Sequence, residues 1–400
     1  MTDQQRRLSR RYIIYRFMTD LWFINAVWLY FFRLFITDQQ IGILDGITSM
    51  IGLLAMIPSG ALADKFGRDK IVRLGWILVG GGYLVQAAGS SYTPFFVGQT
   101  ILIVGLSLAA GADEALFFDK LKFKKQSTHW RKLVTRGTQA SLVALLVAVL
   151  VGGFMYSIHP RLPFVLTGLA FIGATLLIWS IKDDRPKKSR QKLLPELKDY
   201  LHDIRTGFAQ FRLPKLWLYV PFILTVQGLF YAVGYGMLRL VLMDRFTFDP
   251  LWGSVVIASC IIITMGLLSC MHKNADRLSE KKVLTLIGLS AAAGLLLSIA
   301  NIGLWGYFVI LILYAGDRIL EPFMSEILNN RSPENQRATV LSVASFLKSL
   351  PYVALAPIIG YLNMHGNLWI FLIIWPILIV ASIVLYLLLK KRDSHVDFTD

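Results

Sequence analysis

Apolar and polar positions alternate along this chain on the scale of whole helices. Twelve stretches of about twenty mostly apolar residues, each closed off by charge, Pro, Gly or Asn, run through the 400 residues. That is the length a helix needs to cross a hydrocarbon core about 30 Å thick. In the first half their limits fall near Tyr12 to Phe32, Ile41 to Leu62, Ile71 to Ala88, Phe95 to Phe118, Val134 to Tyr156 and Leu162 to Ile181. In the second half they fall near Leu216 to Val241, Leu251 to Met271, Val283 to Ala300, Leu304 to Leu328, Val340 to Leu362 and Leu368 to Leu389. Lipid offers no partner to a free backbone N–H or C=O, so runs this long and continuous are predicted to be transmembrane helices.

The connections carry charge in alternation. Basic residues gather at the start (Arg6, Arg7, Arg10, Arg11), in the second connection (Lys65, Arg68, Lys70, Arg73) and in the fourth (Lys120, Lys122, Lys124, Lys125, Arg131, Lys132, Arg136). The series continues at Lys182 to Arg190, at Lys273, Arg277, Lys281 and Lys282, and in the tail at Lys390, Lys391 and Arg392. The other loops hold little beyond Arg161 and Arg245. An excess of Lys and Arg marks the cytoplasmic side, so both termini are expected there, in a multi-pass protein of the cell's inner (plasma) membrane. The longest polar stretch, 182–214, separates six spans from six. This predicts a first bundle at 1–181, a linker at 182–214 and a second bundle at 215–400. Within the linker Leu194, Leu197, Leu201, Ile204, Phe208 and Phe211 recur at helical spacing, as in an amphipathic helix on the cytoplasmic surface.

Composition agrees with this plan and removes several others. Apolar residues make up 55% of the chain and charged residues 16%, below the quarter or so usual in soluble domains. The formal charge of +16 comes from 41 Lys and Arg against 25 Asp and Glu, and the cytoplasmic connections absorb it without a nucleic-acid partner. Cys260 and Cys270 share one apolar span about 15 Å apart along a helix, too far for a disulfide, and read as buried thiols. The basic start leads into a long apolar segment without a small-residue cleavage site, and is read as a retained first span. None of the six histidines lies deep in a span or at zinc-ligand spacing. No Gly-x-Ser-x-Gly turn and no Gly-x-x-x-x-Gly-Lys-Ser phosphate loop occurs, which argues against an enzyme and against ATP-driven pumping by this chain. No metal and no cofactor is expected.

The two halves echo each other. GALADKFGRDKIVRL from Gly60 follows the second span and HKNADRLSEKKVLTL from His272 follows the eighth, so Ala63-Asp64 and Ala275-Asp276 correspond with an offset of 212. Arg136-Gly137-Thr138 opens the fifth span and Arg337-Ala338-Thr339 the eleventh. These residues resemble the major facilitator superfamily over the whole chain. The first connection is similar to that family's motif A, with Gly60, Leu62, Ala63, Asp64, Lys65, Gly67 and Arg68 in place and Asp69 where a basic residue is usual. The resemblance implies a fold of two pseudo-symmetric six-helix bundles. It also implies a cytoplasmic gate in which Arg68 pairs with Asp119 and to which Asp276 and Arg277 contribute from the second half. Gly60 and Gly67 are expected to allow close backbone approach, and Asp64 to favour the positive end of a neighbouring helix.

Likeness to drug exporters of that family is partial. The fifth span keeps the small residues Ala144, Ala148, Val149, Gly152 and Gly153 of their motif but lacks its Pro. Where their fourth span carries an Arg, four residues before Gly105, this chain has Ile101.

Ionisable side chains inside spans are costly and therefore candidates for function. They are Asp20 with Arg16 a turn earlier, Asp113 and Glu114 in the fourth span, Asp317, Arg318 and Glu321 in the tenth, and Lys348 in the eleventh. In the resembled fold the first, fourth, seventh and tenth helices line a central cavity. Asp317 and Glu321 share a helix face, and Arg318 can reach Glu321 at a spacing of three. Two readings of that cluster stand: carboxylates whose proton occupancy changes with access, or an ion-pair network of Asp317, Arg318, Glu321 and Lys348 that holds two helices together and never titrates. Asp45 and Arg239, near outer span ends, are expected to snorkel to water, with an outer gate as the alternative. Trp22, Trp28, Tyr30, Tyr83, Gln99, Gln227, Tyr231 and Tyr235 are candidates to line a pocket.

The expectation is a secondary active transporter, a functional monomer among membrane lipids, that exchanges protons for a small amphipathic drug or metabolite. Uptake by symport or facilitation shares nearly every feature used, and a transporter-derived receptor without flux would keep the fold.

Overall fold

The computed structural model describes residues 3–110, 112–121, 127–181, 205–273 and 279–396. Among them the ordered elements are all helical. Nine helices among the described residues are long and apolar enough to cross a membrane, matching the second to fifth, seventh, eighth and tenth to twelfth expected spans. The sixth, Leu162–Ile178, is just short of that length. The ninth, Glu280–Leu297, opens on three charged residues. The first is interrupted.

The chain divides into two compact units. The first comprises Met1–Ile36, Thr48–Tyr200 and Pro250–Ala258, and the second Thr37–Ile47, Leu201–Asp249 and Ser259–Asp400. In the first, aromatic rings fix the helix ends: Phe32 stacks on Phe95 with centroids 4.4 Å apart, and Phe31 lies 4.5 Å from Phe164. In the second, the helical residues 205–210 set Phe208 against Phe346 of the eleventh span. Residues 182–204, which hold the rest of the expected amphipathic helix, lie outside the described residues.

Three spans read as continuous are broken. The first is Asp3–Thr19 and Trp28–Arg33 with irregular backbone at 20–27. Side chains supply what the helix gives up there. The Thr19 hydroxyl donates to the Tyr15 and Arg16 carbonyls at 3.1 and 3.2 Å, and the Trp22 indole donates to the Thr19 carbonyl at 2.9 Å. The Phe23 carbonyl meets Gly152 of the fifth span so closely that a Cβ would overlap it.

The fourth span is Tyr92–Ala109 followed by Ala112–Leu121. The seventh runs from Pro214 to Arg245 through a π turn at Ile223–Gln227 and a gap at 235–237. Pro221 has no N–H to give the turn, and the Thr225 hydroxyl donates to the Pro221 carbonyl at 2.8 Å. The offset of 212 carries the first span's break onto 232–239, which contains the seventh span's gap.

The second span runs on to Phe66, so most of motif A is helix rather than connection. Only Gly67, with φ 96°, turns the chain before the third span begins at Arg68. Beyond its own helix backbone and its chain neighbours, no atom of the described residues lies within 4 Å of where a Gly60 Cβ would stand, so no close approach is made there among them. Cys260 is buried, but Cys270 is exposed, against the expectation for both.

Candidate functional site

Helix breaks place the acidic residues of the first unit. Asp20 is the first residue past the helix that ends at Thr19, and Arg16 Nη2 stands 3.8 Å from its carboxylate. Asp113 lies in the first turn of Ala112–Leu121, where unsatisfied N–H groups favour an anion. One of its oxygens accepts the Glu114 backbone N–H at 2.8 Å and the other accepts the Tyr15 hydroxyl at 3.0 Å. Asp113 is buried whereas its neighbour Glu114 is exposed, so the adjacent pair presents two different environments. Trp22 and Tyr83 pack on Phe171 with centroids 5.5 and 6.0 Å away, Tyr83 as core and Trp22 half-buried.

The second unit holds a small cavity, with a volume of about 10 Å³, lined by Gln227, Tyr231, Tyr235, Asp317, Glu321 and Lys348, with Phe230 and Leu320 as its apolar wall. The irregular seventh span supplies the amide and aromatic side of the cavity. The tenth supplies its carboxylates. Irregular backbone is tolerated at membrane depth where it is enclosed by protein or borders a cavity.

The charges of the tenth and eleventh spans pair across the two helices, as in the ion-pair network read from the sequence, and one pair within it differs. Lys348 of the eleventh span reaches both oxygens of Glu321 at 2.7 Å, while Arg318 turns to Asp317 at 3.7 Å instead of reaching Glu321.

Asp45 and Arg239 are buried, not snorkelling. The Tyr352 hydroxyl donates to Asp45 and itself accepts the Met237 N–H, in the seventh span's gap, at 2.8 Å.

At the charged ends of the spans, Arg68 Nη1 meets Asp119 Oδ2 at 3.0 Å. Asp69, the departure from motif A, pairs with Arg73 one turn on, and the Arg73 Nε–H donates to the Asp69 carbonyl at 2.8 Å. Asp64 is exposed near the end of the second span. Asp276 and Arg277 lie outside the described residues.

A residue passed over in the sequence is the hub of the corresponding place in the second unit. Glu280 accepts from Tyr219 at 2.6 Å, Tyr386 at 2.8 Å and Arg331 at 3.1 Å, with Lys390 at 2.9 Å. Its only sequence signal is an acid within the run Glu280-Lys281-Lys282 at the position of Arg68. Burial pushes its carboxyl up, but the Tyr219, Lys390 and Tyr386 hydrogen bonds and the Arg331 charge outweigh that and hold it at about 2.

The model of the Major Facilitator Superfamily matches residues 13–354. The chain belongs to that superfamily. Multidrug resistance protein 2 of Bacillus subtilis (strain 168) is 22% identical to it over 320 residues, 77% of this chain and 76% of that protein. Among solved structures, the nucleoside transporter NupG superposes with a TM-score of 0.71 at 12% identity, covering 98% of this chain and 99% of its own. A D-xylose-proton symporter superposes with a TM-score of 0.68 at 14% identity, covering 96% and 97%. These likenesses establish the fold: a twelve-helix major facilitator in a multi-pass membrane protein, a transporter and not an enzyme. In this facilitator the carboxylates singled out at Asp20, Asp113 and Asp317 sit beside a helix break, in a helix's first turn and on a cavity wall.

Proposed function

We propose that this facilitator is a proton-coupled secondary transporter that exports a small amphipathic molecule from the cytoplasm by alternating access. The moving bodies in this reading are the six-helix halves 1–181 and 215–400, joined by the linker 182–214, with both termini cytoplasmic and the protein working as a monomer in the cell membrane. The observation that carries it is the cavity of the second unit. Two tyrosines and Gln227 face Asp317 and a Glu321 already paired to Lys348. As the cavity widens in the transport cycle, Tyr231 and Tyr235 offer stacking surface to a flat apolar molecule, and a carboxylate stands beside them to take up or release a proton. Asp20, Asp113 and Glu114 supply acidic groups in the first half. Arg68 with Asp119 serves as the cytoplasmic latch, with Gly60, Asp64 and Gly67 and, from the second half, Asp276 and Arg277. Export is favoured by the glycine pair Gly152-Gly153 in the fifth span and by likeness to a protein named for multidrug resistance.

Proteoliposomes holding the purified protein and a pH-sensitive dye test it. Under an imposed pH gradient, some member of a panel of amphipathic drugs should provoke proton movement opposite to its own. Asp317→Asn should abolish it. Drug and proton moving together would instead support uptake, the second reading, which the likeness to a D-xylose-proton symporter favours. Proton movement by no compound in the panel would refute the coupling.

A further inference from the structure

Tyr15 is fully buried, five residues before Asp20, and its hydroxyl stands between partners from two other spans. The Trp76 indole nitrogen of the third span lies 2.7 Å away and Asp113 Oδ2 of the fourth span 3.0 Å away. An indole N–H can only donate, so the tyrosine oxygen must accept from Trp76, and its single proton is left for Asp113. The direction of the chain Trp76 to Tyr15 to Asp113 is thereby fixed. Asp113 Oδ1 accepts the Glu114 backbone N–H at 2.8 Å. Both oxygens of the carboxylate are therefore committed as acceptors.

A proton arriving at Asp113 disturbs this arrangement wherever it settles. On Oδ2 it meets the tyrosine's own proton, which must then leave. On Oδ1 it opposes the Glu114 N–H at the start of a helix. The other charged or titratable groups that act on Asp113 are Arg16 and Tyr12 from the first span and Glu114 from its own; the third span contributes Trp76, which does not titrate. We propose that Tyr15 is the positioning residue that converts protonation of Asp113 into release of the first-span helix Asp3–Thr19 from the fourth. This rests on the proton-coupled reading above. It adds which bond a proton breaks and which helix is thereby freed, the helix whose end carries Asp20.

Tyr15→Phe tests it without removing the ring, which packs 5.1 Å from Phe117 and 6.3 Å from Trp76. Spin labels at Arg10→Cys and Lys120→Cys, with Cys260→Ser and Cys270→Ser, report the distance between the first and fourth spans in proteoliposomes, titrated from pH 5 to pH 9 without substrate. The parent protein should show one pH-dependent change in distance. Asp113→Asn should remove it. Tyr15→Phe should remove it as well, leaving the distance near its low-pH value throughout, because the bond that the proton breaks is already gone. Trp76→Phe, which frees the tyrosine oxygen to receive a proton from Asp113, should keep the change and move its midpoint to higher pH. A pH transition that survives in Asp113→Asn or in Tyr15→Phe overturns the proposal. Failure of the coupling reading is separate: it would appear as drug-provoked proton movement missing from the parent protein, whatever the distances do.

Discussion

Glu280 and Arg331 stand 3.1 Å apart with their charges in the order opposite to Arg68 and Asp119, which meet at 3.0 Å. The offset of 212 that aligns Asp64 with Asp276 carries Arg68 onto Glu280 and Asp119 onto Arg331. In each unit the first residue of the span after the connection pairs with the closing turns of the span that follows. The repeat has kept an ion pair in place while exchanging which helix holds the cation. An internal repeat conserves the electrostatic function of a position more cheaply than its residue type, because either polarity closes the same contact.

The first of these pairs is partly exposed, 24% at Arg68 and 39% at Asp119, so its direct worth to folding is at most about 1 kcal/mol. Its effect should instead appear in transport. Arg68→Glu and Asp119→Arg should each lower the transport rate at least tenfold while shifting the melting temperature little. The double variant should recover most of the rate. A double variant as slow as either single one would show that the pair's charge is not what matters.

Glu280 should show its environment through pH. Its carboxyl is held at about 2, below an ordinary 4.5, so its contribution to stability is complete above about pH 4.5 and is lost as pH falls toward 2. Discounted for its partial exposure, the contribution is on the order of 2 kcal/mol. Melting in detergent should therefore separate the parent protein from Glu280→Gln at pH 7, and the gap should close steadily below pH 4.5. A constant gap down to pH 3 would assign the loss in Glu280→Gln to packing rather than charge.

The spans and the Arg68–Asp119 pair were legible in the sequence because each rests on local composition or a short motif. The break at 20–27 was not. Leu21, Trp22 and Phe23 are as apolar as any span interior, and the Thr19 hydroxyl and Trp22 indole that satisfy carbonyls at the break leave no mark in hydropathy. The cavity lining of Gln227, Tyr231 and Tyr235 was visible as a set of candidates. Lys348 was visible as a member of an ion-pair network between two helices, but which carboxylate it takes was not, because residue spacing compares positions within one helix only. Glu280 was hidden by its neighbours: inside a basic run it reads as part of the topological signal.

Gly152 and Gly60 should respond in opposite ways to alanine. At Gly152 a Cβ would overlap the Phe23 carbonyl, a backbone atom of the broken first span that cannot swing aside. Gly152→Ala should cost about 1–3 kcal/mol through overpacking. Gly60 is helical with open space around it, so Gly60→Ala should stabilise by roughly 0.5–1 kcal/mol from helix propensity alone. Thermal melting of the two variants side by side measures both, and loss of stability in Gly60→Ala would indicate a contact made in another conformation of the transport cycle.

Tyr352 plays in the second unit the part that Tyr15 plays in the first. Its hydroxyl accepts the Met237 N–H at 2.8 Å and gives its own proton to Asp45. The Met237 amide belongs to the gap at 235–237, where no helical carbonyl is in register to receive it. Tyr352→Phe deletes this acceptor and one donor to a buried carboxylate while keeping the ring beside Tyr231, 5.7 Å away. The expected loss is about 1–3 kcal/mol, the cost of leaving a buried polar group unsatisfied. Tyr231→Phe, which keeps the Tyr352 bonds, is the control and should lose much less. Equal melting temperatures for the two variants would mean that water enters the gap and takes the place of the phenol, leaving the seventh span's break to be held by its neighbours' packing alone.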